Sequence, residues 1–102
     1  MDITFRLELF VVGQSTKAQE AERNLRRLCD EKIAGRYELR ITDVLENAEA
    51  AEAANIIATP ALVRRAPLPV RVLIGDLSER NALVHGLGLE RDDNLDGSPT
   101  DE

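Results

Sequence analysis

Polar and apolar residues alternate in two stretches near the start of the chain. In the first, polar Thr4, Arg6 and Glu8 alternate with apolar residues, and an apolar run then leads to Gly13. The same alternation returns over Tyr37–Leu45 and again ends in an apolar pair. A period of two is typical of a strand with one buried and one exposed face. We therefore expect a β-strand in each stretch.

Apolar residues between these two strands recur every three or four positions. They are Ala18, Ala21, Leu25, Leu28 and Cys29. This spacing places them along one face of a helix of about 18 residues. Thr16 stands three residues before Gln19, which is typical of a capping box at the start of a helix. Gly35 is expected to end the helix. Strand, helix and strand predict a parallel βαβ unit.

An alanine-rich segment after the second strand predicts a second helix. Asn47 is placed to cap it, and the helix propensity extends through Ile57. Pro60 is expected to end it, because the proline ring blocks continuation of a helix. The apolar face of this segment is thin, so we expect tertiary packing to stabilise it only weakly.

The remaining elements are short. Strands are predicted at 61–63 and 70–74, and the connection between them is short enough to favour an antiparallel pair. Ser78, three residues before Asn81, predicts the start of a last helix, which Gly86 and Gly88 help to end. The predicted order is βαβαββα in a single α/β domain over 1–89. The polar segment 90–102 is expected to be a disordered acidic tail.

Composition excludes several classes of protein. The net charge of the 102 residues is −6 and only three residues are aromatic, so neither a nucleic-acid backbone nor an anionic membrane is a favourable partner. Cys29 is the only cysteine, so a disulfide within the chain and a cysteine-based zinc cluster are both excluded. Neither a leader peptide nor a membrane-spanning run is predicted, and we expect a cytoplasmic location.

The predicted order is that of a thioredoxin-like fold, in which Thr59 and Pro60 occupy the usual cis-proline position. The redox chemistry of that fold requires a Cys-x-x-Cys pair after the first strand, where the helix N-terminus lowers the thiol pKa. This chain has residues 13–17, Gly-Gln-Ser-Thr-Lys, at that place. Cys29 lies further along the helix, where a buried apolar role is favoured over a redox role.

The other residues that could bind a metal or take part in catalysis have no suitable partner residue nearby in the sequence. His85 has no second metal ligand nearby, so a role on the surface or at the helix C-terminus is expected. Asp43, Asp76 and Glu79 lie near strand ends, where turn or cap roles are favoured over an active site. We predict no enzyme activity, no metal and no cofactor.

Three cations surround the turn at Pro67 and Pro69. Arg64, Arg65 and Arg71 form either a solvated hairpin end or an electrostatic contact for an acidic partner protein. The sequence alone leaves both interpretations open.

Four short blocks of the chain resemble the KaiB family of circadian-clock proteins in order and spacing. They are Phe10-Val11-Val12-Gly13, Ile41-Thr42-Asp43-Val44-Leu45, Ala58-Thr59-Pro60-Ala61-Leu62 and Pro69-Val70-Arg71-Val72-Leu73-Ile74-Gly75-Asp76-Leu77-Ser78. The resemblance implies a non-enzymatic regulator of a KaiC-type ATPase ring, in a circadian clock or in KaiC-linked timing or stress signalling. It further implies an indirect connection to KaiA or to a sensor histidine kinase.

Members of this family are known in two folds, which the resemblance implies here as well. One is a tetramer of order βαββααβ and the other a thioredoxin-like monomer that binds KaiC, so a dimer or tetramer is an expected form. The second half of the chain is what changes. The positions that mark this switch region are Pro60, Pro67, Pro69, Gly86 and Gly88.

The partner-facing residues that the resemblance implies are only partly preserved. Arg40 and Arg71 keep basic positions, whereas Asn55 and Glu20 stand where many relatives have cations. Gly88 replaces a common acidic residue.

Two other functions stay open: a redox enzyme that uses Cys29, and a detached domain like the N-terminal sensor domain of a KaiC-binding histidine kinase. The first strand begins close to Met1, which favours a free-standing protein over the detached domain.

Overall fold

The computed structural model describes residues 4–56, 58–74, 77 and 79–89. The elements are β1 (Phe5–Val11), α1 (Thr16–Lys32), β2 (Tyr37–Asp43), α2 (Ala48–Ala53), β3 (Ala61–Ala66), β4 (Arg71–Ile74) and α3 (Arg80–Leu87). The predicted order βαβαββα is therefore confirmed. The predicted acidic tail, 90–102, lies outside the described residues.

The four strands form one sheet in the order β2-β1-β3-β4. β1 and β2 are parallel, as the βαβ prediction requires, and Leu9 of β1 lies beside Ile41 of β2. β3 is antiparallel to β1, and β4 is antiparallel to β3, as predicted. This is the thioredoxin-like arrangement rather than the βαββααβ order of the second family fold.

Each face of the sheet is covered by helices, but to different extents. The larger core joins the sheet to α1 and α3, and its most buried side chains include Leu9, Leu25, Leu28, Leu83 and Leu87. The smaller core lies on the other face, where Phe10, Ala61 and Val63 are buried against apolar residues in and beside α2. α2 has six residues and none of them is fully buried. The expectation of weak packing for this helix is therefore confirmed.

Helix α1 begins one residue earlier than the capping-box pattern indicates. Ser15, not Thr16, is its N-cap, because Ser15 has extended backbone angles and its side chain accepts a hydrogen bond of 3.1 Å from the Ala18 backbone N–H. Thr16 is the first helical residue. The prediction that Thr16 caps the helix is wrong by one position, since only a residue outside the helix can turn its side chain back to the free N–H groups.

Helix α2 is shorter than predicted. Asn47 caps it as expected, accepting from the Ala50 N–H at 3.3 Å. The helix ends at Ala53, with Ala54 as its C-cap, because Asn55 has a φ of 58°, in the left-handed region that interrupts a helix. The prediction that Pro60 ends this helix is therefore wrong. Pro60 follows Thr59 in a cis peptide bond, which confirms the cis-proline position.

Helix α3 is capped by Glu79, whose carboxylate accepts from the Ala82 N–H at 2.8 Å. This replaces the predicted cap Ser78, which lies outside the described residues. Gly88 ends the helix with a φ of 75°, as expected of a glycine. Gly86 does not help to end it. It lies inside the helix, where a Cβ atom would approach Leu73 Cγ to 2.7 Å, so its role is close packing of α3 on β4.

Candidate functional site

The loop after β1 is the place where thioredoxin chemistry would require a thiol pair. Gly13 has a φ of 60°, and its N–H donates to Asp43 Oδ1 at 3.1 Å. The same carboxylate oxygen accepts from the Leu45 N–H at 2.9 Å. Asp43 therefore ties the ends of β1 and β2 together, which confirms its predicted turn role. The loop and the first turn of α1 carry Ser15 and Lys17 rather than cysteine.

Cys29 is fully buried on the inner face of α1. Burial, followed by the negative charge of Asp30, raises the pKa of the Cys29 thiol to about 12. A thiol of this kind is neither ionised at neutral pH nor reachable by a substrate, so it is inert as a nucleophile. The expected apolar role is confirmed. The redox alternative has no reactive thiol to use.

The three hairpin arginines have separate roles, contrary to the expectation of one solvated or partner-facing cluster. Arg64 is only 5% exposed. Its Nη1 donates to the Leu87 carbonyl at 2.9 Å and its Nη2 to the Pro69 carbonyl at 2.8 Å. Arg65 turns to the opposite face of the sheet and pairs with Glu8, whereas Arg71 is exposed. Of the three, only Arg71 is available to a partner protein as a free surface charge.

The buried guanidinium of Arg64 holds two separate segments in place. Pro69 belongs to the β3–β4 connection and Leu87 to the last turn of α3. The Arg64 Nε has no hydrogen-bond partner in the described part of the chain, and no carboxylate there pairs with the cation. Burial, with the nearby charge of Arg71, lowers the Arg64 pKa. Arg64 therefore acts as a clasp between hairpin and helix, and we call these contacts the Arg64 clasp.

A second buried charge joins three strands. Glu8 of β1 accepts from the Thr42 hydroxyl of β2 at 2.6 Å and from the Arg65 Nη2 of β3 at 2.8 Å. Burial alone would raise the pKa of Glu8, but the hydrogen bonds from Thr42 and Arg65 and the charges of Arg65 and Arg40 hold it below its ordinary value. The alternating pattern of β1 predicts a solvent-facing side chain at Glu8, so the sequence gives no sign of this buried charge.

This network predicts a loss of stability in acid. Because the folded pKa of Glu8 lies below its ordinary value of 4.5, its contribution is complete above that value and is lost as the pH falls from there through the folded value. Replacing Glu8 by glutamine is expected to lower the free energy of unfolding by about 1–2 kcal/mol at neutral pH and by less at pH 3. Urea unfolding at both pH values measures this.

Glu20→Gln is the matched control for that measurement, since Glu20 is exposed on α1. We expect its difference from the wild type to be the same small value at both pH values. A Glu8→Gln effect that is equally large at both pH values would contradict the assignment.

A charged groove of about 370 Å³ lies on the open part of the sheet, beside this network. Its charged lining residues are Arg6, Glu8, Glu38, Arg40 and Arg65. Arg6 and Glu38 face each other across the strands at 3.9 Å. The groove offers mixed charge but no nucleophile and no metal cluster. Across the described residues, no three of His, Cys, Asp and Glu come together as metal ligands, and His85 lies exposed in the last turn of α3.

The three predicted partner-binding residues occupy different places. Arg40 is exposed on β2, on the face that carries α2. Asn55 is exposed just after α2 and shares that face. Arg71 is exposed on β4, but its pairing with Arg64 places it on the opposite face. Three strand spacings of about 4.8 Å separate Arg40 from Arg71, so the structure brings Arg40 and Asn55 to one side and Arg71 to the other.

The predicted switch residues fall into two groups. Pro60 lies just before β3, next to a shallow groove that Val12 and Thr59 also line. Pro67 and Pro69, both preceded by cis peptide bonds, form the β3–β4 connection. The Arg64 clasp brings Pro69 and the end of α3 together, and a Cβ atom on Gly88 would lie 3.0 Å from Arg64 Nη1.

No helix in the described ranges is both long and apolar enough to span a bilayer.

The fold resembles several solved structures. The N-terminal domain of SasA from Synechococcus elongatus superimposes with a TM-score of 0.71 at 24% identity, covering 86% of this chain and 87% of that domain. Mitochondrial thioredoxin 3 of Saccharomyces cerevisiae gives a TM-score of 0.67 at 17% identity over 84% of this chain and 78% of its own. These similarities show a thioredoxin-like fold.

Sequence comparison is more specific. The family model described as the KaiB domain matches residues 8–89. The circadian clock oscillator protein KaiB of Prochlorococcus marinus is 41% identical over 88% of this chain and 76% of its own. The protein of the same name from Synechococcus elongatus is 41% identical over 84% of each chain. The family match covers both halves of the sheet and all three helices, so the chain belongs to the KaiB family.

Proposed function

We propose that this protein is a non-enzymatic regulator that binds a KaiC-type ATPase ring and modulates the phosphorylation and ATPase cycle of that ring. The observation that carries the proposal is the KaiB match over residues 8–89, with about 40% identity to circadian clock oscillator proteins. The buried, unionised Cys29 supports a role in binding rather than in redox catalysis. The thioredoxin-like arrangement is the one that the family resemblance associates with ring binding.

The contact surface that we propose is the sheet face around α2. This helix has no buried residue and presents Glu49 and Glu52 to solvent, so its surface is free for a partner protein. Arg40 and Asn55 lie on the same face. Arg71 lies on the opposite face, so we assign it a longer-range electrostatic contribution to association rather than a place in the contact.

A slow change of fold is the proposed means of regulation. The alternative family fold is a tetramer in which the second half of the chain is rebuilt. Two features support such a change: α2 is held by a small apolar cluster, and the β3–β4 connection is joined to the end of α3 by two hydrogen bonds from Arg64. Each of these attachments consists of few contacts, which a different packing of the second half of the chain could replace.

A binding experiment with a purified KaiC homologue tests the proposal. The full chain is mixed with the ATPase in ATP and in ADP, and complex formation is followed by gel filtration over several hours. We expect a complex that grows slowly in at least one nucleotide state. Arg40→Ala is expected to weaken binding by about tenfold, on the scale of one charged contact.

Arg23→Ala is the matched control, because Arg23 is exposed on α1, whose packed side lies across the sheet from α2. We expect it to bind like the wild type. Absence of a complex in every nucleotide state would contradict the proposed function. Equal effects of Arg40→Ala and Arg23→Ala would contradict the proposed surface alone.

A second candidate function is that of a detached sensor domain. The TM-score of 0.71 with the SasA N-terminal domain favours it, but 24% identity to that domain is well below the 41% identity to KaiB proteins. A kinase core encoded in the same reading frame would support this alternative.

A further inference from the structure

Two arginine side chains lie beside each other on the face of the sheet that carries α3. Arg64 of β3 and Arg71 of β4 are directly opposed in the antiparallel pair, so they point to the same face. Arg64 is buried and Arg71 is exposed. Like charges in directly opposed positions repel each other. Within the described residues neither guanidinium forms an ion pair with a carboxylate, so positive charge at this place is left uncompensated.

The negative charge of the protein is concentrated after residue 89. Residues 90–102 include six acidic residues and one arginine, so this segment carries −5 of the net charge of −6. Residues 1–89 are therefore almost neutral. Three of the acidic residues, which we call the proximal acids, come soon after α3: Glu90, Asp92 and Asp93. The other three, which we call the distal acids, are Asp96, Asp101 and Glu102.

The acidic segment begins next to the two arginines. Leu89, the residue before it, is 1% exposed and lies in the larger core. The Leu87 carbonyl accepts from Arg64 Nη1, and a Cβ atom on Gly88 would lie 3.0 Å from that same nitrogen. An extended stretch of four residues spans roughly 13 Å. Opposed residues on neighbouring strands are only about 5 Å apart, so Arg71 is within reach of the proximal acids.

Two other cations at this end of the sheet already have carboxylate neighbours. Arg65 pairs with Glu8 at 2.8 Å, and Arg6 lies 3.9 Å from Glu38. Both face away from α3, on the side of the sheet that carries α2. Arg71 combines exposure, the lack of a carboxylate partner within the described residues, and a position beside the start of the acidic segment.

We propose that the proximal acids fold back onto Arg71 and screen its charge from acidic partner proteins. The chain after Leu89 is the occupant because its carboxylates supply the charge that the two arginines lack, and because it starts beside them. A short tether holds the carboxylates near the guanidinium at a local concentration of about a millimolar or more, which no partner in dilute solution matches. The contact requires only charge and proximity, so it agrees with the polar composition of 90–102.

Salt should control this contact. Exposed ion pairs are individually weak and are screened by dissolved ions, so the proximal acids should release Arg71 as the salt concentration rises. An acidic partner surface should also displace them, because it competes for the same guanidinium. This second consequence rests on the proposed function, in which Arg71 contributes long-range attraction to a partner protein. The contact itself is a property of the chain alone.

NMR spectra of the full chain test the contact. The reporters are the guanidinium Nε–H and the backbone amide of Arg71, observed in about 20 mM and about 500 mM sodium chloride. Neutralising the proximal acids together, as Glu90→Gln, Asp92→Asn and Asp93→Asn, should shift both signals in the direction that high salt shifts them in the wild type. Salt should have little further effect on Arg71 in this variant.

Neutralising the distal acids, as Asp96→Asn, Asp101→Asn and Glu102→Gln, is the matched control, because it removes the same charge further along the chain. We expect its shift at Arg71 to be at least about twofold smaller, since the attraction falls with distance. Equal shifts from the two variants, or no shift from either, would overturn the proposal. A response of Arg71 to added inorganic phosphate that neutralising the proximal acids leaves unchanged would also overturn it, because an external anion would then be the occupant.

The reverse experiment observes the acidic segment. Arg71→Ala should shift the backbone amides of Asp92 and Asp93 in low salt. Arg23→Ala, which removes an exposed cation from α1, should leave these amide signals in place. Shifts of equal size in both variants would show a general effect of charge and would overturn a specific contact with Arg71.

Association with a KaiC homologue tests the functional consequence. In low salt the variant with neutral proximal acids should associate about threefold faster than the variant with neutral distal acids, although both have the same net charge. Equal rates would contradict the screening of Arg71 from a partner protein. Absence of binding in every variant would contradict the proposed function, whereas the contact with Arg71 is decided independently by the NMR experiments.

Discussion

Replacing Arg64 by alanine is expected to lower the free energy of unfolding by about 3 kcal/mol, which corresponds to a fall of about 12–24 °C in Tm for a domain of this size. The change removes two hydrogen bonds at once. It leaves the carbonyls of Leu87 and Pro69 without their donor, in surroundings where Arg64 itself is only 5% exposed. The loss of the long side chain adds a cavity between β3 and α3.

Chemical denaturation and hydrogen exchange measure this effect. Amides of α3 and the β3–β4 connection should lose protection beyond the global change, because the Arg64 clasp holds those two segments. Arg64→Met separates charge from packing, and we expect a smaller loss of about 1–2 kcal/mol, since it keeps the volume and removes an unpaired buried cation. Arg71→Ala, on the neighbouring strand and exposed, should change stability by less than about 0.5 kcal/mol. An Arg64→Ala loss as small as that of Arg71→Ala would contradict the clasp.

Replacing Phe10 by alanine is expected to cost about 3–5 kcal/mol, the usual range for a fully buried phenylalanine. Phe10 is the largest member of the smaller core, and its ring supports α2, which has no fully buried residue of its own. We therefore expect this variant to lose the order of α2 in addition to global stability. Urea unfolding measures the global loss, and amide exchange at Ala50 and Ala51 measures the local one.

Two comparisons isolate the local effect of Phe10. Phe10→Leu keeps an apolar side chain on the same face and should cost much less. Phe5→Ala removes the other phenylalanine, which lies in the larger core, and should lower global stability without selectively exposing α2. Selective loss of α2 protection in Phe5→Ala, or its absence in Phe10→Ala, would contradict the division into two cores.

The local patterns predicted much of the fold. The alternation of polar and apolar residues up to Leu9 and the helical spacing from Ala18 to Cys29 each lie almost wholly within one element, so each predicts the type of that element directly. The order βαβαββα follows from these patterns and from the proline and glycine residues that separate the elements. Boundaries were less accurate, because caps depend on backbone angles: Ser15 rather than Thr16 and Asn55 rather than Pro60 mark the true ends.

The charged residues were the part that sequence patterns placed least well. Arg64 and Arg65 are neighbours and looked like one basic cluster with Arg71. Because successive strand residues point to opposite faces, Arg64 is buried towards α3 and Arg65 pairs with Glu8 across the other face. Glu8 and Arg65 are 57 residues apart in the chain, so only the strand register brings them together.

The sequence by itself determined the fold class, the absence of a Cys-x-x-Cys pair and the resemblance to one family, since all of these depend on local spacing. The tertiary structure decided which charges are free. It buries Arg64, pairs Arg65 with Glu8, separates Arg40 from Arg71 and leaves the apolar face of β4 uncovered. These outcomes depend on which strands become neighbours and in what register, and that is settled by packing between distant segments rather than by any local pattern.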